Sequence, residues 1–257
     1  PLDLGAYSIS GGVTFAFPNL SLDAGQRVLI VEDEEAFAAR YGAGSRVIGS
    51  WSGNLSDADD RIVLQFGGAT ILDFTYEDDW YPTTDGTGPS LTIAMEDAHP
   101  LFWDDRDGWR PSGAAGGTPG RPEDPCADWL WEHFDAEEFA DPEIGGIDAD
   151  PDRDGLTNRL EFALALDPRT PQAEPTPELI EIDGDYFLTV TIQHDQRADF
   201  LQPEVSGDLK TWSGSPQELE TYIREALESG IERLTFRDLT PIEHSSPRRF
   251  IRISAPK

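Results

Sequence analysis

Arg61-Ile62-Val63-Leu64-Gln65-Phe66, then Gly67-Gly68, then Thr70-Ile71-Leu72-Asp73-Phe74-Thr75-Tyr76: this stretch decides the fold class. Two runs rich in β-branched and aromatic residues flank a glycine pair, which is the pattern of a β-hairpin. The same signals recur on both sides. Val13-Thr14-Phe15-Ala16-Phe17 runs into Pro18-Asn19, and Arg27-Val28-Leu29-Ile30-Val31 follows Ala24-Gly25. Ser90-Leu91-Thr92-Ile93-Ala94-Met95 is a further strand. One short helix interrupts them at Glu34-Glu35-Ala36-Phe37-Ala38-Ala39-Arg40-Tyr41. Acidic residues at its start and Arg40 near its end suit the helix dipole. Short strands at this spacing predict a β-sandwich over residues 1–124.

Beyond it, Gly116-Gly117-Thr118-Pro119-Gly120-Arg121-Pro122 reads as a linker or closing loop. Trp129, Leu130, His133 and Phe134 then fall near helical spacing. Leu160, Phe162, Ala163, Leu164 and Leu166 suggest a second helix, ending at Asp167-Pro168. Residues 169–177 read as a second linker. Residues 178–257 return to strands: Tyr186 to Ile192, Leu234 to Arg237 and Arg249 to Ile253. Between them, Leu219, Tyr222, Ile223, Ala226 and Leu227 form an apolar stripe that predicts a helix over Pro216 to Ser229. The expected fold is mainly β, with sandwiches at 1–124 and 178–257 joined by a helical connector at 125–170.

The chain has 257 residues, 38% of them hydrophobic, with seven tryptophans, enough for real cores. Fifty acidic residues against 19 basic ones give a formal net charge of -31. Such a surface repels phosphate backbones and anionic lipid, so neither nucleic-acid nor membrane-surface binding is expected; with no run of 18 apolar residues, membrane insertion is not expected either. It suits divalent cations. The one cysteine, Cys126, cannot close an internal disulfide. Its expected role is a buried small side chain rather than a reactive thiol. The chain starts at Pro1, which reads as a processed or trimmed start with any export signal upstream.

Asp150-Pro151-Asp152-Arg153-Asp154-Gly155-Leu156-Thr157-Asn158-Arg159-Leu160-Glu161 fits D-x-D-x-D-G-x5-E at every fixed position. Carboxylates at alternate positions (Asp150, Asp152, Asp154) converge on one hard cation. Gly155 permits the sharp turn, and Leu156 would offer a backbone carbonyl. Asn158 would ligate directly or through water, and Glu161 would close the shell with both oxygens. Asp148 is a further candidate ligand. An acidic linker would show such charges too, but neither glycine at the sixth place nor glutamate at the twelfth. An all-oxygen set points to calcium rather than zinc or a transition metal. Residues 142–147 before the loop do not read as helical, so a two-helix hand is not expected. The loop resembles the calcium repeats of dockerins and thrombospondin type 3 segments, in which a loop precedes one helix.

The first segment resembles the lamin-tail domain of secreted bacterial proteins. The matching residues are Gly11 to Pro18, Leu22 to Val31, Glu35 to Gly42, Gly49 to Ser56, Asp85 to Leu91 and Gly116 to Gly120, within about 5–120. The resemblance implies an immunoglobulin-like β-sandwich without catalytic activity, in a large exported protein. Family members open with one or two further strands before the segment that matches Leu4-Gly5. A sandwich lacking a strand exposes an edge, which could accept a strand from a neighbouring subunit. Residues 126–257, with Glu204-Val205-Ser206-Gly207-Asp208-Leu209-Lys210-Thr211-Trp212, resemble C-terminal regions of large exported bacterial proteins. That resemblance implies a small fibronectin-like β domain with an inserted helix.

No catalytic residues are expected. His99, His133, His194 and His244 lie far apart and sit in no catalytic motif. Asp78-Asp79 and Asp104-Asp105 are carboxylate pairs, but 50 acidic residues guarantee chance pairs. Asp104-Asp105-Arg106-Asp107 beside Trp109 is a candidate second cation site. Trp80, Tyr81, Phe102, Trp103 and Trp109 would form either a sugar-binding platform or core packing. Asn19-Leu20-Ser21 and Asn54-Leu55-Ser56 match the glycosylation sequon. The expected function is a non-catalytic, calcium-stabilised structural or adhesive protein, extracellular or at the cell surface. Its partners would be copies of itself or neighbouring surface proteins, as in a filament. The alternative is an accessory carbohydrate- or substrate-binding region of a larger exported hydrolase.

Overall fold

The computed structural model describes residues 1–86, 88–95, 99–227, 230–242 and 248–255; Thr87, Ser229 and His244, named above, lie outside them. The protein is mainly β, and it divides into two compact units, Pro1–Asp124 and Pro125–Lys257. Among the described residues no helix is long and apolar enough to cross a membrane.

The first unit contains β1 (Leu2–Asp3), β2 (Tyr7–Gly11), β3 (Val13–Ala16), β4 (Ser21–Leu22) and β5 (Leu29–Val31). After helix α1 (Glu34–Tyr41) come β6 (Val47–Ser50), β7 (Ser52–Gly53), β8 (Asp59–Phe66), β9 (Ala69–Glu77), β10 (Pro89–Ile93) and β11 (Trp109–Ala115). An antiparallel sheet runs β7-β3-β2-β8-β9 and buries Val13, Phe15, Val63 and Phe74. The β8–β9 hairpin forms as expected. Phe66 pairs with Ala69 across Gly67 and Gly68, whose φ values are 56° and 85°. Two consecutive positive φ angles are what a two-residue hairpin turn needs, and glycine adopts them without steric cost.

Helix α1 forms over the expected residues. The Asp33 carboxylate caps it, accepting from Glu35 and Ala36 backbone N–H at 2.8 and 2.9 Å. It is the crossover between β5 and β6, a parallel pair, and parallel neighbours need such a connection. None of its residues is buried. The Tyr41 hydroxyl ties its end down by donating to the Gly116 carbonyl at 2.9 Å.

The second unit opens with α2 (Pro125–His133), α3 (Ala136–Ala140) and α4 (Asn158–Leu164). Then follow β12 (Glu178–Ile182), β13 (Asp185–Asp195), β14 (Gln202–Ser206), β15 (Leu219–Ala226), β16 (Ile231–Asp238) and β17 (Phe250–Ser254). The strands form an antiparallel sheet, β12-β13-β16-β15, and a β14–β17 pair. The expected helix over Pro216 to Ser229 is corrected: residues 219–226 are strand β15. Cross-strand pairing overrides the helical spacing, because Leu219 to Ala226 runs antiparallel to β16. Glu220–Arg237, Arg224–Glu232 and Glu225–Arg233 ion pairs accompany that pairing. Of the predicted apolar stripe Leu219 alone is buried, while Tyr222, Ile223 and Leu227 are exposed.

Residues 125–170, expected as a connector, share cores with the terminal strands. Leu156 and Leu164 pack with Leu188, Val190, Ile192 and Phe236. Phe162 and Ala163, on the same helix as Leu164, pack with Cys126, Trp129, Leu130 and Phe139. Helix α4 is thus apolar on two sides, and neither side could face water without loss of about 1.5–3 kcal/mol per large side chain. Helix α3 begins with a reciprocal cap: Asp135 accepts from Glu137 and Glu138 N–H, while the Glu138 side chain accepts from Asp135 N–H at 3.1 Å. Asp135→Ala should therefore lower stability by about 1 kcal/mol, read from a denaturant midpoint. A change below the error of that measurement would mean the cap contributes nothing.

Candidate metal centre

The acidic loop is built from its closure inward. Asn158 N–H donates to the Ala149 carbonyl at 2.8 Å, and Arg159 N–H to Ile147 at 2.9 Å. These bonds hold the start of the loop against the first turn of α4. Gly155, at φ 98°, makes the reversal between them. Within the loop the carboxylates organise the backbone. Asp150 accepts from Asp154 N–H (3.2 Å) and Gly155 N–H (3.1 Å), and Asp152 accepts from Asp154 N–H at 3.2 Å. Asp154 accepts from Leu156 N–H at 2.7 Å and from Gln172 N–H at 2.8 Å.

The result is a triad. Carboxylate oxygens of Asp150, Asp152 and Asp154 lie within 4.8 Å of one another, and this group can hold a metal ion. Like charges this close repel strongly unless a cation lies among them. Glu161 sharpens the point. Its side chain is 0% exposed, and neither carboxylate oxygen has a hydrogen-bond partner. Burial, followed by the charges of Asp152, Asp154 and Asp150, pushes its carboxyl up to about 8. Asp152 also has a buried, unpartnered oxygen, and burial is the main cause of its raised pKa. Buried carboxylates without partners cost several kcal/mol, so orphaned oxygens gathered in one place fit a cation that satisfies them together.

Of the expected ligands, Asp150, Asp152 and Asp154 come together, with Glu161 beside them. Asn158 is fully buried, and its Nδ2 donates to the Ile144 and Gly146 carbonyls at 2.7 and 2.8 Å. It therefore ties the preceding turn to α4, and its Oδ1 is left buried without a partner. Leu156 anchors the loop with a side chain 2% exposed in the sheet core. Asp148 is exposed and outside the triad. Gln172 could not have been found from the motif, because it contributes only a backbone N–H and lies beyond the twelve-residue window.

No protein-family model, no curated protein and no solved structure matches this chain.

The other candidates have structural partners. Asp104 accepts from Thr75 N–H at 2.8 Å and Asp105 from Asp107 N–H at 3.1 Å, so both carboxylates cap backbone. Asp78 and Asp79 open a 3-10 turn that ends at Trp80. Phe74 meets Trp103 edge-to-face at a centroid distance of 6.0 Å and lies tilted against Trp109 at 5.3 Å, and Trp80 lies 6.4 Å from Trp109. Tyr81 is buried, and only Phe102 of the five aromatic candidates is exposed. Trp80, Trp103 and Trp109 thus cluster around Phe74, and Tyr81 has the Arg106 guanidinium over its ring. His99 Nδ1 accepts from Leu101 N–H at 3.3 Å, and the His133 ring lies tilted against Trp129 at a centroid distance of 4.6 Å. His194 sits between Glu232 (3.0 Å) and the Ala198 carbonyl (3.1 Å). Asn19 and Asn54 are both exposed.

Proposed function

We propose that this chain is a calcium-stabilised, non-catalytic structural or adhesive part of an extracellular or cell-surface protein. The observation that carries the calcium reading is Glu161, a fully buried carboxylate with no partner beside three convergent aspartates. Four carboxylates and no nitrogen or sulfur suit a hard cation. Calcium accepts irregular, carboxylate-rich shells, whereas magnesium demands near-octahedral geometry and retains its waters. Helix α4 then works as a keystone: the cation fixes Glu161 on one turn while Phe162 and Leu164 fill two cores.

The extracellular reading is supported by the resemblance of residues 5–120 to the lamin-tail domain and by the acidic surface. In this reading both units are immunoglobulin-like sandwiches, and neighbouring copies or surface proteins join by strand addition. Strand β15 is a poor acceptor edge. Its register shifts between Thr221 and Ile223, and it carries Glu220, Arg224 and Glu225; bulges and charges both guard edges. Strand β12, at the other end of the sheet, pairs with β13 without a register shift and exposes Leu179.

Calorimetric titration with calcium at neutral pH should show saturable binding of a single ion, with magnesium far weaker. Absence of calcium binding at millimolar concentration would sink the reading. Light scattering and electron micrographs, with calcium and then with excess chelator, test the assembly. Long particles that come apart on chelation are expected; single chains in both conditions would leave a spacer module instead.

A further inference from the structure

We infer, resting on the metal reading above, that cation binding also fastens the strap of residues 171–177 that leads into β12. The strap is held differently from its flanks. Just before it, Arg169 donates through Nε to the His133 carbonyl at 2.7 Å, pairs with Glu138 and lies 4.8 Å over the Phe134 ring. Just after it, β12 is zipped to β13. The strap itself has no regular structure, and Pro171, Pro175 and Pro177 have no N–H to donate. Among the described residues, one hydrogen bond joins its backbone to the rest of the chain: Gln172 N–H to Asp154 Oδ2, at 2.8 Å.

Asp154 is therefore shared. It belongs to the triad, and it is the strap's acceptor. A cation on the triad fixes the direction of this carboxylate and holds Oδ2 under Gln172. Without the cation, Asp150 and Asp152 repel Asp154, and rotation away from them withdraws the acceptor. The strap then loses its one tie while its flanks stay in place. The site would report its occupancy through a short, protease-accessible segment.

Hydrogen exchange on the full chain tests this, in calcium and in excess chelator, with calcium binding measured by calorimetry on the same sample. In calcium, the Gln172 amide should exchange at least roughly tenfold slower than under chelator, the protection of one ordered hydrogen bond. Ala173, Glu174 and Thr176 should exchange fast in both conditions. Gln172→Pro, which removes that donor, should still bind one calcium, with affinity lowered by no more than the roughly tenfold coupling seen in the exchange, because the coupling is reciprocal. Even in calcium, proteinase K should cut it within 171–177 as fast as it cuts the chelated parent. Calcium bound with Gln172 exchange unchanged would overturn the inference and leave the metal site standing. No calcium bound would overturn both. If Gln172→Pro does not fold, the exchange of Gln172 in the unaltered chain decides alone.

Discussion

Glu161→Gln should stabilise the calcium-free protein at pH 9 and abolish the stabilisation that calcium gives the unaltered chain. The sign follows from the carboxyl's position. Its ordinary value is 4.5, and in the folded protein it is pushed up to about 8. The folded form thus binds the proton more tightly than the unfolded form. The contribution of this group to calcium-free stability is full below pH 4.5 and is lost as pH rises toward 8. Each pH unit between those two values removes about 1.4 kcal/mol, a few kcal/mol in all. Glutamine has no charge to bury and escapes that loss. Saturating calcium, at about a thousandfold above its dissociation constant, should add about 4 kcal/mol to the parent and little to the variant. Thermal melts at pH 6 and pH 9, with calcium and with chelator, read all of this. If calcium-free Glu161→Gln melted below the parent at pH 9, the carboxylate would have a partner other than a metal.

Phe162→Ala should cost about 3–5 kcal/mol, the range for removing a buried aromatic side chain. Phe162 is 0% exposed and lies 5.7 Å from the Trp129 ring and 6.3 Å from Phe200, with the Arg197 guanidinium 5.2 Å from its centroid. The cavity would open next to Glu161, on the helix that positions it. Calcium affinity should therefore fall together with stability, although no ligand is touched. Urea unfolding followed by Trp fluorescence, with a parallel calcium titration, measures both. A loss below about 1 kcal/mol would mean that α2 and α4 repack around the gap. Stability lost with affinity intact would separate the loop from its helix.

The parts legible in the sequence are those that depend on local pattern. The β8–β9 hairpin, α1, and the positions of Asp150, Asp152, Asp154 and Glu161 are each fixed by residues within about a dozen places of one another. Strand β15 is not legible, because Leu219, Tyr222, Ile223, Ala226 and Leu227 satisfy a helical period. What decides otherwise is the neighbouring strand β16, whose Arg237, Arg233 and Glu232 face Glu220, Glu225 and Ala226. The parallel β5–β6 pair is likewise a relation between strands rather than within one. At the site, the motif marks the carboxylates but not their support. Asn158 fits a ligand position by spacing, but spacing does not show that its Nδ2 also ties the Ile144 and Gly146 carbonyls while its Oδ1 stays a buried acceptor without a partner. The shared core of Leu156 and Leu164 with the terminal sheet crosses a stretch that reads as a linker by composition.

Cys126 gives the second unit a chemical memory of its own opening. The thiol is 0% exposed, so neither oxidants nor another thiol can reach it while α2 stays packed. In an oxidising medium the closed chain stays reduced. Whenever α2 lifts away, that sulfur comes into reach, and these 257 residues hold no second cysteine to pair with it. Two chains that open together can then be joined when the medium oxidises both thiols to a disulfide, and the linked sulfurs, which no longer fit the closed core, would hold the second unit of each chain open.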